Sequence, residues 1–138
     1  MLANGATLAY KPKTESGAAY TTIPGLKEIP DIGVEPEKVE NTTLTDPHKK
    51  YEIGIGDLPD MTYRFKYEND SAQSGYRVMR TYADSKTVLA FKETDQDGAT
   101  VEFDAQCSVK RLGGGVNGVI DWELTLYVQS DMSYTDPT

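Results

Sequence analysis

The stretch Ala99-Thr100-Val101-Glu102-Phe103-Asp104-Ala105-Gln106-Cys107-Ser108-Val109 places an apolar residue at every odd position and a polar one at every even position. A β-strand points successive side chains to opposite faces, so this pattern describes a strand with one buried and one wet face. After the glycine-rich Leu112-Gly113-Gly114-Gly115-Val116-Asn117-Gly118 the alternation resumes. Ile120, Trp122, Leu124, Leu126 and Val128 face one way, and Asp121, Glu123, Thr125 and Tyr127 the other. The two segments predict a long antiparallel hairpin whose turn the glycines supply.

Outward from this hairpin the same period recurs. Met61, Tyr63, Phe65 and Tyr67 alternate with Thr62, Arg64, Lys66 and Glu68. A further strand is expected over Thr87 to Thr94, where the run Val88-Leu89-Ala90-Phe91 suggests burial on both faces. It joins the next strand through Asp95-Gln96-Asp97-Gly98, an Asp-Gly turn rather than a calcium loop. Between these strands one helix is predicted from Ala72 to Ser85, capped by Asn69-Asp70-Ser71. Its docking face would be Ala72, Tyr76, Met79, Tyr82 and Ala83, with Gln73, Arg77, Arg80 and Asp84 opposite. Thr7 to Lys11 and Tyr20 to Ile23 read as short strands around Glu15-Ser16-Gly17. Ile29 to Val39 reads as an extended segment that Pro30 and Pro36 place at an edge or bend. Glu40 to Pro59 lacks clear periodicity and is longer than ordinary loops, which points to a functional or disordered segment.

The chain has 138 residues, 38% of them hydrophobic and 26% charged, which suits one globular domain. No apolar run is long enough to span a bilayer, and residues 1–10 lack the features of a secretory signal. A single cysteine, Cys107, cannot form an intramolecular disulfide, and its place in the alternation predicts a buried side chain. Asn41-Thr42-Thr43 and Asn69-Asp70-Ser71 match the glycosylation pattern by chance if the chain stays in the cytoplasm. A formal net charge of −8 repels phosphate backbones, which argues against a nucleic-acid binder.

The chemistry of an active site is missing from the pattern. The one histidine, His48, stands in Asp46-Pro47-His48-Lys49-Lys50 with no partner motif for acid–base work. One His and one Cys do not make a zinc site. Gly113-Gly114-Gly115 lacks the lysine and following helix of a phosphate loop. No catalytic residue, cofactor site or metal site is predicted. Tyr63, Tyr67, Tyr76 and Tyr82 occupy inward positions and belong to packing.

Several stretches together resemble the major tail tube proteins of long-tailed bacteriophages. They are Pro36-Glu37-Lys38-Val39-Glu40-Asn41-Thr42-Thr43-Leu44-Thr45-Asp46, Tyr51-Glu52-Ile53-Gly54-Ile55-Gly56-Asp57 and Tyr63-Arg64-Phe65-Lys66-Tyr67. The opening Leu2-Ala3-Asn4-Gly5-Ala6-Thr7-Leu8-Ala9-Tyr10, the helical Tyr76-Arg77-Val78-Met79-Arg80 and Asp121-Trp122-Glu123-Leu124 extend the likeness over nearly the whole chain. The resemblance implies a mainly β subunit with one flanking helix, a β-sandwich or partly open barrel of antiparallel strands that forms hexameric rings. Such rings stack into a tube in the virion tail, assembled in the host bacterial cytoplasm. The implied partners are further copies of the chain, the tape measure protein, and the tail tip and tail terminator proteins. Genomic DNA would pass through without specific binding, and no membrane is involved. Closing strands into a ring also removes sheet edges that would otherwise pair without control.

On this reading the wet faces line the channel, with Thr62, Arg64, Lys66, Glu102, Asp104, Gln106, Asp121, Glu123 and Thr125 as candidates. The acidic members would hold DNA off by like-charge repulsion. The segment from Glu40 to Pro59 would reach the neighbouring ring through Leu44, Tyr51, Ile53, Ile55 and Leu58, ordering on assembly. Met1 to Ala6 would be an N-terminal arm and Gln129 to Thr138 a short polar tail, with no added immunoglobulin-like domain. Two other readings compete: a stand-alone β-sandwich binding module, and a tube protein of a secretion or contractile injection system.

Overall fold

A computed structural model of the chain describes residues 1–13, 19–33, 35–57 and 59–137. The strands are β1 Thr7–Pro12, β2 Thr21–Thr22, β3 Leu26–Glu28, β4 Glu35–Glu40, β5 Tyr51–Asp57, β6 Met61–Lys66, β7 Leu89–Thr94, β8 Thr100–Arg111, β9 Asp121–Val128 and β10 Ser133–Thr135. The helix α1 spans Gly75–Ser85, between β6 and β7. One antiparallel sheet runs in the order β2-β1-β7-β8-β9-β6-β3, with β10 also beside β8. It curls into a half-barrel, so of the two expected forms the partly open barrel is the one present.

Strand β8 organises the sheet because it is long enough to serve two neighbours in succession. Its first half pairs with β7, from Thr94 opposite Thr100 to Leu89 opposite Ala105. Its second half pairs with β9, from Ala105 opposite Val128 to Arg111 opposite Trp122. The turn between β7 and β8 uses Gly98 at φ 92, a conformation glycine adopts without a Cβ penalty. The Asp97 carboxylate accepts the Ala99 N–H across it at 3.0 Å.

One face of the sheet holds the core. Leu8, Met61, Tyr63, Phe65, Leu89, Phe91, Phe103, Ala105, Trp122, Leu124 and Leu126 are buried there, and α1 adds Met79. Each large apolar side chain so buried contributes roughly 1.5–3 kcal/mol relative to exposure. Aromatic contacts fasten the helix: Phe65 stacks on Trp122 with centroids 4.6 Å apart, and Tyr76 meets Trp122 edge-on at 5.8 Å and Tyr67 at 5.0 Å.

Four expectations change. The helix begins at Gly75 rather than Ala72, so Ala72 is exposed and leaves the docking face, while Tyr76, Tyr82 and Ala83 pack against the core partly buried. The cause is local competition: Asp70 Oδ1 accepts the Ser74 hydroxyl at 3.1 Å, and Asn69 Oδ1 accepts Arg77 Nε at 2.9 Å, which holds 69–74 as a turn. The expected loop from Glu40 to Pro59 contains β5, which pairs with β4 as a separate two-stranded sheet. The register shifts between Pro36 and Lys38, the bend anticipated at Pro36. Gln129 to Thr138 is not only a tail, because β10 pairs with β8 through Ser133 opposite Glu102 and Thr135 opposite Thr100. Residues 3–6 form a turn beside Leu26, Lys27 and Ile29, closed by the Ala6 N–H on the Ala3 carbonyl at 3.1 Å. The Glu15-Ser16-Gly17 turn lies outside the described residues.

Candidate functional site: the polar sheet face and the projecting hairpin

All nine residues expected on a wet face share one face of the main sheet. Register alone requires this. Thr62 stands opposite Thr125, Arg64 opposite Glu123 and Lys66 opposite Asp121, while Ser108 and Lys110 continue the same rows into β8. Glu102, Asp104 and Gln106 follow by parity along β8. Thr62 and Thr125 share a hydrogen bond of 3.2 Å between hydroxyls.

Cations stand close to several acids of this face. Asp121 is only 4% exposed, because its carboxylate accepts Lys27 Nζ at 3.0 and 3.2 Å and lies 3.2 Å from Arg64 Nε. Arg64 also reaches Glu28 at 3.6 Å. Asp104 pairs with Lys13 at 3.1 Å, and Lys66 with Glu68 at 3.2 Å. Lys92 stands opposite Glu102 on the neighbouring strand. Of the four acids expected to repel DNA, Asp104 and Asp121 are ion-paired, while Glu102 and Glu123 stand opposite Lys92 and Arg64 in the register, so the face is partly charge-paired. A paired face offers neither the free cations that hold phosphate nor a strong repulsive field. Gln106 turns aside, donating from Nε2 to the Lys86 carbonyl at 3.0 Å, and so ties β8 to the end of α1.

The second feature is the hairpin of β4 and β5, whose packing among the described residues is chiefly of one strand on the other. Lys38 stands opposite Ile53, and Glu40 opposite Tyr51, so these four share a face. Lys38 Nζ sits 3.7 Å from the Tyr51 ring centroid, a cation–π contact. Ile53 is 82% exposed, Tyr51 and Val39 are exposed, and Leu44 stands free at the connecting loop. That loop is held by Asp46, which accepts the Thr43 N–H at 2.8 Å and pairs with Lys50 at 3.1 Å. Those contacts lower the Asp46 pKa, the Thr43 N–H chiefly. Ile55 lies in β5, but its side chain and Leu58 are outside the described residues. An isolated two-stranded ribbon with apolar side chains in water is marginal by itself. Sequence reading missed it although Tyr51, Ile53 and Ile55 alternate with Glu52, Gly54 and Gly56.

Among the described residues no three His, Cys, Asp or Glu side chains gather as a metal site, and no helix is long and apolar enough to cross a membrane. Cys107 is buried as expected, and burial pushes its thiol up to about 11. His48 is exposed in the loop between β4 and β5.

No protein-family model matches the chain. No curated protein matches it either. Solved structures do. A chain from the tail of an empty gene transfer agent particle, refined with C6 symmetry, is 23% identical over 94% of this chain and 96% of its own, with a TM-score of 0.69. A chain from the sheath/tube terminator of an extracellular contractile injection system in the extended state is 11% identical over 99% and 96%, with a TM-score of 0.70. A chain from the baseplate of the anti-feeding prophage, 6-fold symmetrised, is 14% identical over 94% and 91%, with a TM-score of 0.68. The fold is thus one found in phage-like tails and injection systems. It does not single out the long-tailed phage kind that the sequence resembles.

Proposed function

We propose that the chain is a non-catalytic structural subunit that assembles with copies of itself into rings stacked as the tube of a phage-like tail. The observation that carries this reading is the match over 94% of the chain to a chain of the gene transfer agent tail. The C6 symmetry of that tail supports six copies to a ring. On this reading the polar face, with Thr62, Arg64, Lys66, Glu102, Asp104, Glu123 and Thr125, lines the channel, and its charge pairing lets genomic DNA and a tape measure protein slide without adhering. Gln106 and Asp121 are structural members of that face. Leu44, Tyr51, Ile53, Ile55 and Leu58 of the 40–59 segment contact a neighbouring ring. Initiator and terminator proteins at the tail tip and the tail end would bound the tube, with assembly in the host cytoplasm and the finished product in the virion tail.

A second reading, a tube inside a contractile injection system, draws on the TM-score of 0.70 to the terminator chain. It differs in whether a sheath surrounds the tube, not in what this chain does. Negative-stain electron microscopy across a concentration series, with light scattering on the same samples, tests the proposal. Rings or hollow tubes are the expected outcome. Monodisperse monomer at every concentration would instead favour a stand-alone binding module that grips a ligand with the 35–57 hairpin.

A further inference from the structure

A second protrusion matches the hairpin in chemistry and opposes it in charge. The loop from 112 to 120, between β8 and β9, exposes Val116 completely and Val119 and Ile120 substantially. It is a folded knob rather than a slack link. Gly118 N–H donates to the Gly115 carbonyl at 3.0 Å, Leu112 N–H donates to the Asp121 carbonyl at 2.8 Å, and Gly118 lies against the backbone of Gly114 and Gly115. Its approach is basic: Lys110 and Arg111 are exposed, neither is in an ion pair among the described residues, and no carboxylate occurs from 105 to 120.

The hairpin is the converse. Residues 35–57 carry six carboxylates against three lysines in sequence, and Glu40 shares the exposed Tyr51–Ile53 face with Lys38. Within one copy the two apolar tips do not pack together, since Ile53 and Val116 both stand in solvent. Two complementary surfaces that one chain cannot join in itself make a head-to-tail contact between copies, which closes rings or extends stacks. A preformed knob lowers the entropy cost of seating.

We infer that the Tyr51–Ile53 face of the hairpin seats on the Val116–Ile120 knob of a second copy, with Lys110 and Arg111 meeting the hairpin's carboxylates. This rests on the self-assembly reading and names the surface that receives the hairpin. The partner is this same chain because both the apolar contact and the charge complement are supplied by it.

Cross-linking between two full-length variants tests the inference. Ile53→Cys and Val116→Cys are prepared separately, mixed under assembling conditions and treated with a short bis-maleimide. Both positions are exposed, so neither change disturbs the core, and the native Cys107 is buried. A peptide joining residues 53 and 116 can arise only between copies. That peptide is expected in the assembled fraction and not in the monomer fraction. Rings or tubes that form without it overturn the inference and leave the assembly reading standing, with the hairpin seated elsewhere or on another protein. Failure of both variants and of the wild type to assemble overturns both. In an independent arm, Arg111→Glu is expected to raise the concentration needed for assembly at least several-fold at low salt, with the difference shrinking as salt rises. An unchanged threshold counts against the inference.

Discussion

Asp121 Oδ2 lies 3.2 Å from Arg64 Nε across the boundary between β6 and β9, offset by two residues from the register that sets Arg64 opposite Glu123. Lys27 of β3 closes over the same carboxylate from the next strand out. Three adjacent strands are thereby clamped at their polar face by one buried anion.

Replacing that anion removes the clamp and leaves two cations facing each other. Asp121→Ala is expected to destabilise the monomer by about 2 kcal/mol, the scale of hydrogen bonds to charged groups. Lys27→Ala should cost less, because its side chain is 41% exposed and keeps water in exchange. Urea midpoints of the three proteins check the order. Equal midpoints for Asp121→Ala and wild type would mean the clamp contributes nothing.

Gly75, the first residue of α1, packs where no side chain fits. A Cβ there would stand 2.8 Å from Ile23 Cγ2 and 3.5 Å from Trp122 Cζ2, and both neighbours are buried. Alanine normally stabilises a helix by about 1 kcal/mol over glycine. Overpacking costs roughly 1–3 kcal/mol, so it wins at this position. Gly75→Ala is therefore expected to lower the thermal midpoint, and near-ultraviolet circular dichroism should report a disturbed Trp122. A raised midpoint would show that Ile23 can yield.

What was legible in the sequence follows from where burial is one-sided. Strands β6, β8 and β9 each bury one face against a core, so Tyr63, Phe103 and Leu124 stand in apolar–polar contrast with Thr62, Asp104 and Thr125. Strand β4, Glu-Pro-Glu-Lys-Val-Glu, has neither face buried by the main sheet and so carries no contrast to read. In β5 the glycines stand where polar residues would mark the wet face. Asp121 reads as solvent-facing by parity and does lie on the polar face, but it is buried there by Lys27, 94 residues away in sequence, which no local pattern encodes. The helix starts later than the pattern suggests because Asn69, Asp70 and Ser71 have cap chemistry but use it on the turn.

The other end of α1 stores a small strain. Lys86 caps the helix at φ 55 in the left-handed region, with its N–H on the Ala83 carbonyl and the Thr87 N–H on that of Tyr82. Glycine reaches this conformation without the Cβ clash, while the Lys86 carbonyl would still accept Gln106. Lys86→Gly is expected to stabilise by about 1 kcal/mol. A thermal melt measures it, and a lower midpoint would mean the lysine side chain contributes more than its backbone costs.

Glu93 sits inside the curl on the inward parity of β7, with Leu89 and Phe91, and is only 2% exposed. Its Oε1 and the Tyr63 hydroxyl are both buried without a hydrogen-bond partner among the described residues. Burial lifts the Glu93 carboxyl to about 7; the Tyr63 hydroxyl offsets part of that, and the neighbouring Asp95 adds to it. Burial also raises Tyr63 far above the phenol range, so it stays neutral. The folded protein therefore holds a proton on Glu93 that the unfolded chain, near 4.5, has released. Stability from this group is fully present below pH 4.5, declines as pH rises and is lost once pH passes about 7. The loss is on the order of 3 kcal/mol at about 1.4 kcal/mol per pKa unit. Glu93→Gln keeps the shape without the charge, so its urea midpoint should exceed that of wild type at pH 8 and converge with it at pH 5. Parallel pH profiles for the two proteins would mean Glu93 is already charged when folded, and that water or a cation reaches into the curl.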